Sequence, residues 1–368
     1  MKKIKLIVKT NSKKYPLIIG SNILKNSSKI IRSNKIKFQK CMIVVDRKIP
    51  KKKLLELKKN ISCKKKIIHL FNPNEKNKNL KSVNIILDKL FKDNFNRNDC
   101  IISLGGGITG DVVGFAASTF KRGIKFINFP TTLLAQVDSS IGGKTGINNK
   151  YGKNLIGTFF QPDLVVSDIN FLKTLPKREI ICGYAEILKH SLIAGKKYFS
   201  FLDKNKFKIL KLKTPYIEKA IKDSCKIKKQ IVELDEKEKN HRKLLNLGHT
   251  FAHAYEAETK YSKKLNHGEA VILGIKSAAK FSLSIKLLSE KKYFKIISHM
   301  NLLNLPNDLN FFFKKKNINS ILNFMRSDKK NNSAKINLIL LKDIGRPISN
   351  LFFKKNNLRN FFTKELIN

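Results

Sequence analysis

Three histidines fall within nineteen positions of a 368-residue chain that contains only seven, a concentration that invites metal chemistry. His249 and His253 stand at i and i+4 in Leu-Gly-His-Thr-Phe-Ala-His, so a helix would present both on one face. His267 follows in Asn-His-Gly-Glu, and an apolar segment earlier in the chain carries Glu186 and His190. Imidazole and carboxylate are what Zn²⁺ takes at catalytic sites, where a coordination position stays open for water or substrate. Spacing alone leaves open which of His249, His253, His267, His190 and Glu186 are ligands. Ordinary helix packing would use the same residues.

A second stretch, Cys100-Ile-Ile-Ser-Leu-Gly-Gly-Gly-Ile-Thr-Gly-Asp111, runs an apolar strand into glycines and then into an apolar helix over 112–119. It matches G-x-G-x-x-G in the strand-to-helix context where backbone N–H groups and a helix start can cradle a pyrophosphate. The acidic residue usual about 20 positions further on is replaced by Phe126-Ile-Asn-Phe-Pro130, whereas Asp46 closes an earlier strand. The pattern therefore implies a nucleotide site of unusual layout, or a tight turn that needs glycine.

The third stretch, Pro130 through Thr145 and on to Gly152-Lys-Asn154, gathers small hydroxyl residues, a Gly-Gly pair, Asp138 and the lysines 144 and 153. Such loops bind anions, with lysines as point charges and glycines admitting the backbone. In a chain this rich in lysine a polar loop with incidental charge would read the same way.

The elements that must position these residues change character partway along the chain. Short apolar runs at 3–8, 15–19, 42–45, 67–70, 100–104, 125–129 and 164–167 read as strands, alternating with helical stretches such as 80–91. That alternation implies an α/β domain with a mostly parallel, Rossmann-like sheet. Beyond about Leu175 the periodicity turns helical, at 185–193, 216–234, 252–258 and 269–288. The expected organisation is an α/β nucleotide-binding domain over 1–175 and an all-α metal- and substrate-binding domain over 176–368, with the active site in the cleft between them. Lys/Asn-rich stretches at 72–81 and 328–335 read as surface loops.

Composition narrows the classes. No apolar run reaches the ~18 residues of a membrane span, and the short basic opening lacks the apolar core of a signal peptide, so a cytoplasmic protein is expected. Five scattered cysteines argue against a disulfide framework or a cysteine-ligated zinc. The formal net charge of +49 is carried mostly by lysine spread along the whole chain, beside heavy Asn and Ile usage. This is the imprint of A/T-rich codons, and no specific nucleic-acid partner is expected from it. Non-specific, salt-sensitive sticking does follow.

Taken together, the stretches closely resemble the 3-dehydroquinate synthase family of the sugar phosphate cyclase superfamily, with few gaps from about residue 8 to residue 346. The matching segments keep their order: LGGGITGD at 104–111, FPTTLLAQVDSSIGGKT at 129–145, GKNLIG at 152–157, LKTLPKRE at 172–179, GYAEILK at 183–189, LNLGHTFAHAYEAE at 245–258 and HGEA at 267–270. A lone glycine pattern is common, but this ordered set is specific.

The resemblance implies a dehydroquinate synthase-like fold and a phosphate-eliminating lyase of the shikimate pathway, which leads to chorismate and the aromatic amino acids. It would convert 3-deoxy-arabino-heptulosonate 7-phosphate to 3-dehydroquinate, with NAD and Zn²⁺ or Co²⁺ as cofactors. The reaction runs through transient oxidation, phosphate loss, reduction and an intramolecular aldol closure. The implied metal ligands are Glu186, His249 and His267, which makes His253 a catalytic histidine near the phosphate. Implied NAD contacts are Asp46, Glu75, Lys78, Gly106, Gly107, Ile108, Asp111, Thr131, Thr132, Lys144, Lys153, Phe171, Leu172, Lys173 and Thr174. Implied substrate and catalytic residues are Asp138, Lys144, Lys153, Asn154, Lys189, Lys228, Arg242 and Asn246. Arg122 would reach the phosphate of a neighbouring subunit in a homodimer. Two departures weigh on the adenosine side: Asp46-Arg47-Lys48 where the family often has Asp-Glu-Asn, and Pro73-Asn74-Glu75 where it has a DGE-like turn. Another sugar phosphate cyclase, or a metal-dependent polyol dehydrogenase of the same fold plan, is the competing reading.

Overall fold

The structure is a computed structural model that describes residues 3–327 and 335–367. Apart from Lys335, the loop expected at 328–335 lies outside the described residues. The chain divides into two compact units, Met1–Pro176 with Lys228–Lys237, and Lys177–Ile227 with Glu238–Asn368.

The first unit runs β1 (Ile4–Lys9), β2 (Lys14–Gly20), α1 (Ser27–Ser33), β3 (Lys40–Asp46), α2 (Lys51–Lys59), β4 (Lys65–Phe71), α3 (Leu80–Lys92), β5 (Cys100–Gly105), α4 (Gly107–Thr119), β6 (Lys125–Pro130), β7 (Lys144–Asn149), β8 (Gly152–Phe159) and β9 (Leu164–Asp168). Seven strands form one sheet in the order β1-β2-β9-β6-β5-β3-β4. Only β1 and β2 are antiparallel; the other five pairings are parallel. The alternation of side chains along each strand divides the core in two. Cys41, Ile43 and Val45 of β3 pack with Ile102 and Leu104 of β5 and with α1 and α2 on one face. Met42 and Val44 pack with Ile101, α3 and α4 on the other. Strands buried on both faces read as unbroken apolar runs, and so β3 and β5 were legible in the sequence.

This arrangement places a ligand crevice. The chain leaves β3 over one face of the sheet, through α2, and leaves β5 over the opposite face, through α4. The neighbouring strands β3 and β5 thus form a topological switch point, where open α/β sheets bind ligands beyond the carboxyl ends of the strands. Asp46 ends β3 and Gly105 ends β5.

The second unit holds α5 (Lys177–Ala194), α6 (Lys196–Leu210), the first part of α7 (Tyr216–Leu234), α8 (His249–Glu258), α9 (His267–Ser284), α10 (Glu290–Leu302), α11 (Ile318–Ser327), β10 (Ile336–Asp343), β11 (Arg346–Phe353) and α12 (Lys355–Glu365). It is helical, with one correction to an all-α reading: β10 and β11 form an antiparallel hairpin. Residues Lys228–Lys237 go with the first unit because Glu233 accepts from Lys9 N at 2.6 Å, and Glu236 from Ser12 N at 3.0 Å and Gln161 Nε2 at 2.7 Å. A single boundary near Leu175 does not anticipate that return. Among the described residues, no helix is long and apolar enough to cross a membrane.

Candidate metal centre and nucleotide crevice

In the second unit, three helices bring Glu186, His249 and His267 together, with one ligand atom from each lying within 4.8 Å of the other two. Glycines make the approach possible. Gly248, immediately before α8, has φ +78°, and a Cβ there would stand 2.7 Å from Ile275 N of α9. Gly268, immediately after His267, would drive a Cβ into the backbone of Cys182 on α5. Without side chains at these points α8 and α5 pack close against α9, which carries His267 at its first turn. A capping box starts that helix: Asn266 Oδ1 accepts from Glu269 N and Glu269 Oε2 from Asn266 N, both at 2.9 Å. Arg178 then grips Glu269 through Nε and Nη2, each at 2.6 Å, and donates to the Lys263 and Lys264 carbonyls.

The donor set suits a divalent ion such as Zn²⁺. Glu186 is 1% exposed, yet neither carboxylate oxygen has an aligned hydrogen-bond donor. The Lys189 ammonium is paired with Oε2, and His249 Nε2 lies 3.7 Å from Oε1. A buried carboxylate needs a cation beside it, a need that Lys189 meets at Oε2 and that an ion held with the two histidines would meet at Oε1. Burial and, after it, the charge of Lys189 and the neighbouring histidines push the His249 pKa well below its ordinary value, which keeps the imidazole neutral as a ligand must be. His249 Nδ1 faces the Leu247 carbonyl at 3.3 Å and His267 Nδ1 faces Glu256 Oε2 at 3.0 Å. His253 is outside the trio: it is exposed on α8, its ring 5.4 Å from that of His249 and edge-on to it. His190 is fully buried against Ser224. Arg242 is buried on the turn before α8, and Asn246 Nδ2 donates to Glu238 Oε1 at 2.6 Å.

In the first unit the glycine stretch forms the turn from β5 into α4, with Gly106 at the cap and Gly107 and Ile108 opening the helix. Its glycines are not left-handed; the need is for space. A Cβ on Gly105 would meet Thr109 Oγ1 at 2.6 Å, and one on Gly106 would meet Thr132 Cγ2 at 3.0 Å. Thr131 and Thr132 follow β6, and Phe171, Leu172, Lys173 and Thr174 lie in the short helix after β9. Asp46 accepts from Lys48 N at 2.8 Å, and burial raises its carboxyl pKa.

Beside this turn, buried Lys78 joins Asp111 and Asn154 Oδ1, each at 2.5 Å. Burial raises the Asp111 pKa, and the Lys78 charge opposes that rise. Glu75 accepts from Asn148 Nδ2 at 2.7 Å and pairs with Lys153 at 3.2 Å. Asp138 pairs with Lys228 at 2.7 Å. Lys144 opens β7 with its side chain exposed. Arg122 is not brought to this group: it is exposed at the opposite, amino end of β6, with φ +65°.

A switch-point sheet with a glycine-rich turn, joined to a helical unit with a carboxylate–bis-imidazole set, defines a dehydroquinate synthase-like enzyme fold. Two solved synthases share it: 2-deoxy-scyllo-inosose synthase complexed with carbaglucose-6-phosphate, NAD⁺ and Co²⁺ (TM-score 0.87, 24% identity, 99% of this chain and 100% of that one), and the 2-epi-5-epi-valiolone synthase of Streptomyces hygroscopicus subsp. jinggangensis with NAD⁺ and Zn²⁺ bound (TM-score 0.85, 22% identity, 98% of each). Family models describe residues 68–182 as 3-dehydroquinate synthase N-terminal and 183–331 as 3-dehydroquinate synthase C-terminal. The 3-dehydroquinate synthase of Pelagibacter ubique is 61% identical over 363 residues, 99% of each chain. The chain belongs to the 3-dehydroquinate synthase family.

Proposed function

We propose that this enzyme converts 3-deoxy-arabino-heptulosonate 7-phosphate to 3-dehydroquinate and phosphate, as an NAD- and zinc-dependent lyase of the shikimate pathway. Family membership over the whole chain supports the reaction. The observation that carries the metal requirement is the convergence of Glu186, His249 and His267 around a carboxylate with no aligned donor.

Those three residues would hold Zn²⁺, or Co²⁺, whose contribution when bound is Lewis-acid polarisation of a substrate hydroxyl. NAD, when bound, supplies a hydride acceptor that is restored within each turnover, which fits a reaction with no net oxidation. Gly106, Gly107, Ile108 and the start of α4 would receive its pyrophosphate through backbone N–H groups. Asp46, Glu75, Lys78, Asp111, Thr131, Thr132 and residues 171–174 would line the rest of the dinucleotide. Lys48, which stands where the family often has Asn, offers a cation instead of an acceptor.

The remaining residues have work set by their chemistry. Lys144, Lys228, Arg242 and Asn246 would bind the carboxylate and hydroxyls of the substrate. Asp138 holds the Lys228 ammonium in place at 2.7 Å. Lys153, Asn154 and Lys189 would stabilise charge as phosphate leaves. His253, exposed on α8, would accept or return a proton at an imidazole nitrogen. A homodimer would give Arg122 a phosphate to reach, and the exposed Leu155, Ile156 and Phe159 of β8 offer apolar surface for such a contact.

Phosphate release from the heptulosonate phosphate, with and without a chelator, tests the reading. Turnover that stops on chelation and returns with Zn²⁺ is expected. Undiminished turnover in the metal-free protein would overturn the metal assignment, and turnover only with a hexose phosphate or sedoheptulose 7-phosphate would favour a different cyclase.

A further inference from the structure

The backbone at His267 is fixed by the Asn266–Glu269 capping box and by Arg178, neither of which sets the orientation of the imidazole ring. A ring that must present one nitrogen to a metal needs a partner for the other. Glu256 is that partner by position. It lies two helical turns after His249 on α8, is 6% exposed, and sets Oε2 3.0 Å from His267 Nδ1. A carboxylate accepts and does not donate, so the contact puts the imidazole proton on Nδ1 and the lone pair on Nε2. It also gives a buried acid a reason to be there, on a helix whose Phe251, Ala252, Ala254 and Tyr255 are buried apolar residues.

We propose that Glu256 is a positioning residue of the metal centre: it orients the His267 ring and selects Nε2 as the nitrogen offered to the metal. The inference rests on the ligand assignment above and assigns a role to a residue that touches neither metal nor substrate. Glu269 cannot substitute, because its carboxylate is taken up by Arg178 and by the helix start.

The test is metal affinity in the full-length apoprotein, with Zn²⁺ titrated against a chromophoric chelator and Co²⁺ followed by its visible absorption. Glu256→Ala should weaken Zn²⁺ binding by about 10–100-fold, the usual cost of losing such a partner, and alter the Co²⁺ spectrum while the metal-free melting temperature holds. Glu256→Gln, whose amide oxygen still accepts from Nδ1–H, should recover most of the affinity. His267→Ala is the control on the ligand assignment and should lose the metal site. Unchanged affinity in Glu256→Ala beside a metal-poor His267→Ala would overturn the role of Glu256 alone. Normal binding by His267→Ala would overturn the ligand assignment and this inference with it. If Glu256→Ala does not fold, Glu256→Leu, which keeps the volume and removes the acceptor, is measured instead, and wild-type affinity there would overturn the role.

Discussion

Two histidines one helical turn apart can clamp one ion, so His249 and His253 are natural co-ligands on spacing alone. The trio within reach of one ion instead takes its third member from α9, and His253 lies outside it. His253→Ala should therefore retain about one zinc per chain while losing activity by roughly 10²–10⁴-fold, the range for a positioned acid–base group. His267→Ala should lose the zinc itself. Metal analysis of the two purified variants separates these outcomes, and a zinc-free His253→Ala beside a zinc-replete His267→Ala would reverse the assignment. The histidines were visible in the sequence because they are rare. Glu256 was not, because one more acid on a helix carries no signal until the fold shows which ring faces it.

Residue-level electrostatics also give a pH dependence. His69 on β4 is half-buried beside Lys89, whose Nζ lies 2.9 Å from Nδ1. Burial, then the Lys89 charge, lowers its pKa to about 4 from an ordinary 6.5. A histidine whose folded pKa is depressed resists protonation when folded, so the unfolded chain binds the extra proton first. Its contribution is intact above pH 6.5 and is lost progressively as pH falls from there towards 4. Denaturant titrations of apoprotein at pH 7.5 and 5.0 should show a smaller acid-side loss in His69→Gln than in the unsubstituted chain; equal losses would contradict the assignment.

At the scale of elements, the candidate metal centre depends on close helix packing more than on any propensity. Gly268 has no room for a methyl group against α5, so Gly268→Ala must push α9 and its His267 outward. Overpacking of this kind costs about 1–3 kcal/mol. Urea unfolding should show that loss in the metal-free protein, and Zn²⁺ affinity should fall with it. Stability loss with unchanged affinity would mean that α9 shifts without carrying the ligand away. The sequence revealed the strands of the large sheet and most long helices, since their patterns are unbroken. It hid two of the hairpins, β7–β8 and β10–β11. β8 is mostly exposed and glycine-flanked, so it has no apolar alternation to read, and β10–β11 follows a long helical stretch and was absorbed into it.

At the scale of the whole molecule, the lysines behind the net charge of +49 are spread along the entire chain. Binding to nucleic acid should therefore be non-specific and collapse by ~0.5 M salt, as counterion release requires. A gel shift that survives that salt would point to a partner that the diffuse lysines do not explain.

The proposed redox-neutral cyclisation, with the dinucleotide restored in each turnover, has a direct signature. The most direct measurement follows phosphate release and absorbance at 340 nm together, in zinc-loaded enzyme given heptulosonate phosphate and NAD⁺ at far below substrate. The expected result is many phosphates released per NAD⁺ with no build-up of NADH. One NADH accumulating for each product would contradict a redox-neutral cyclisation and mark the chain as a polyol-type dehydrogenase.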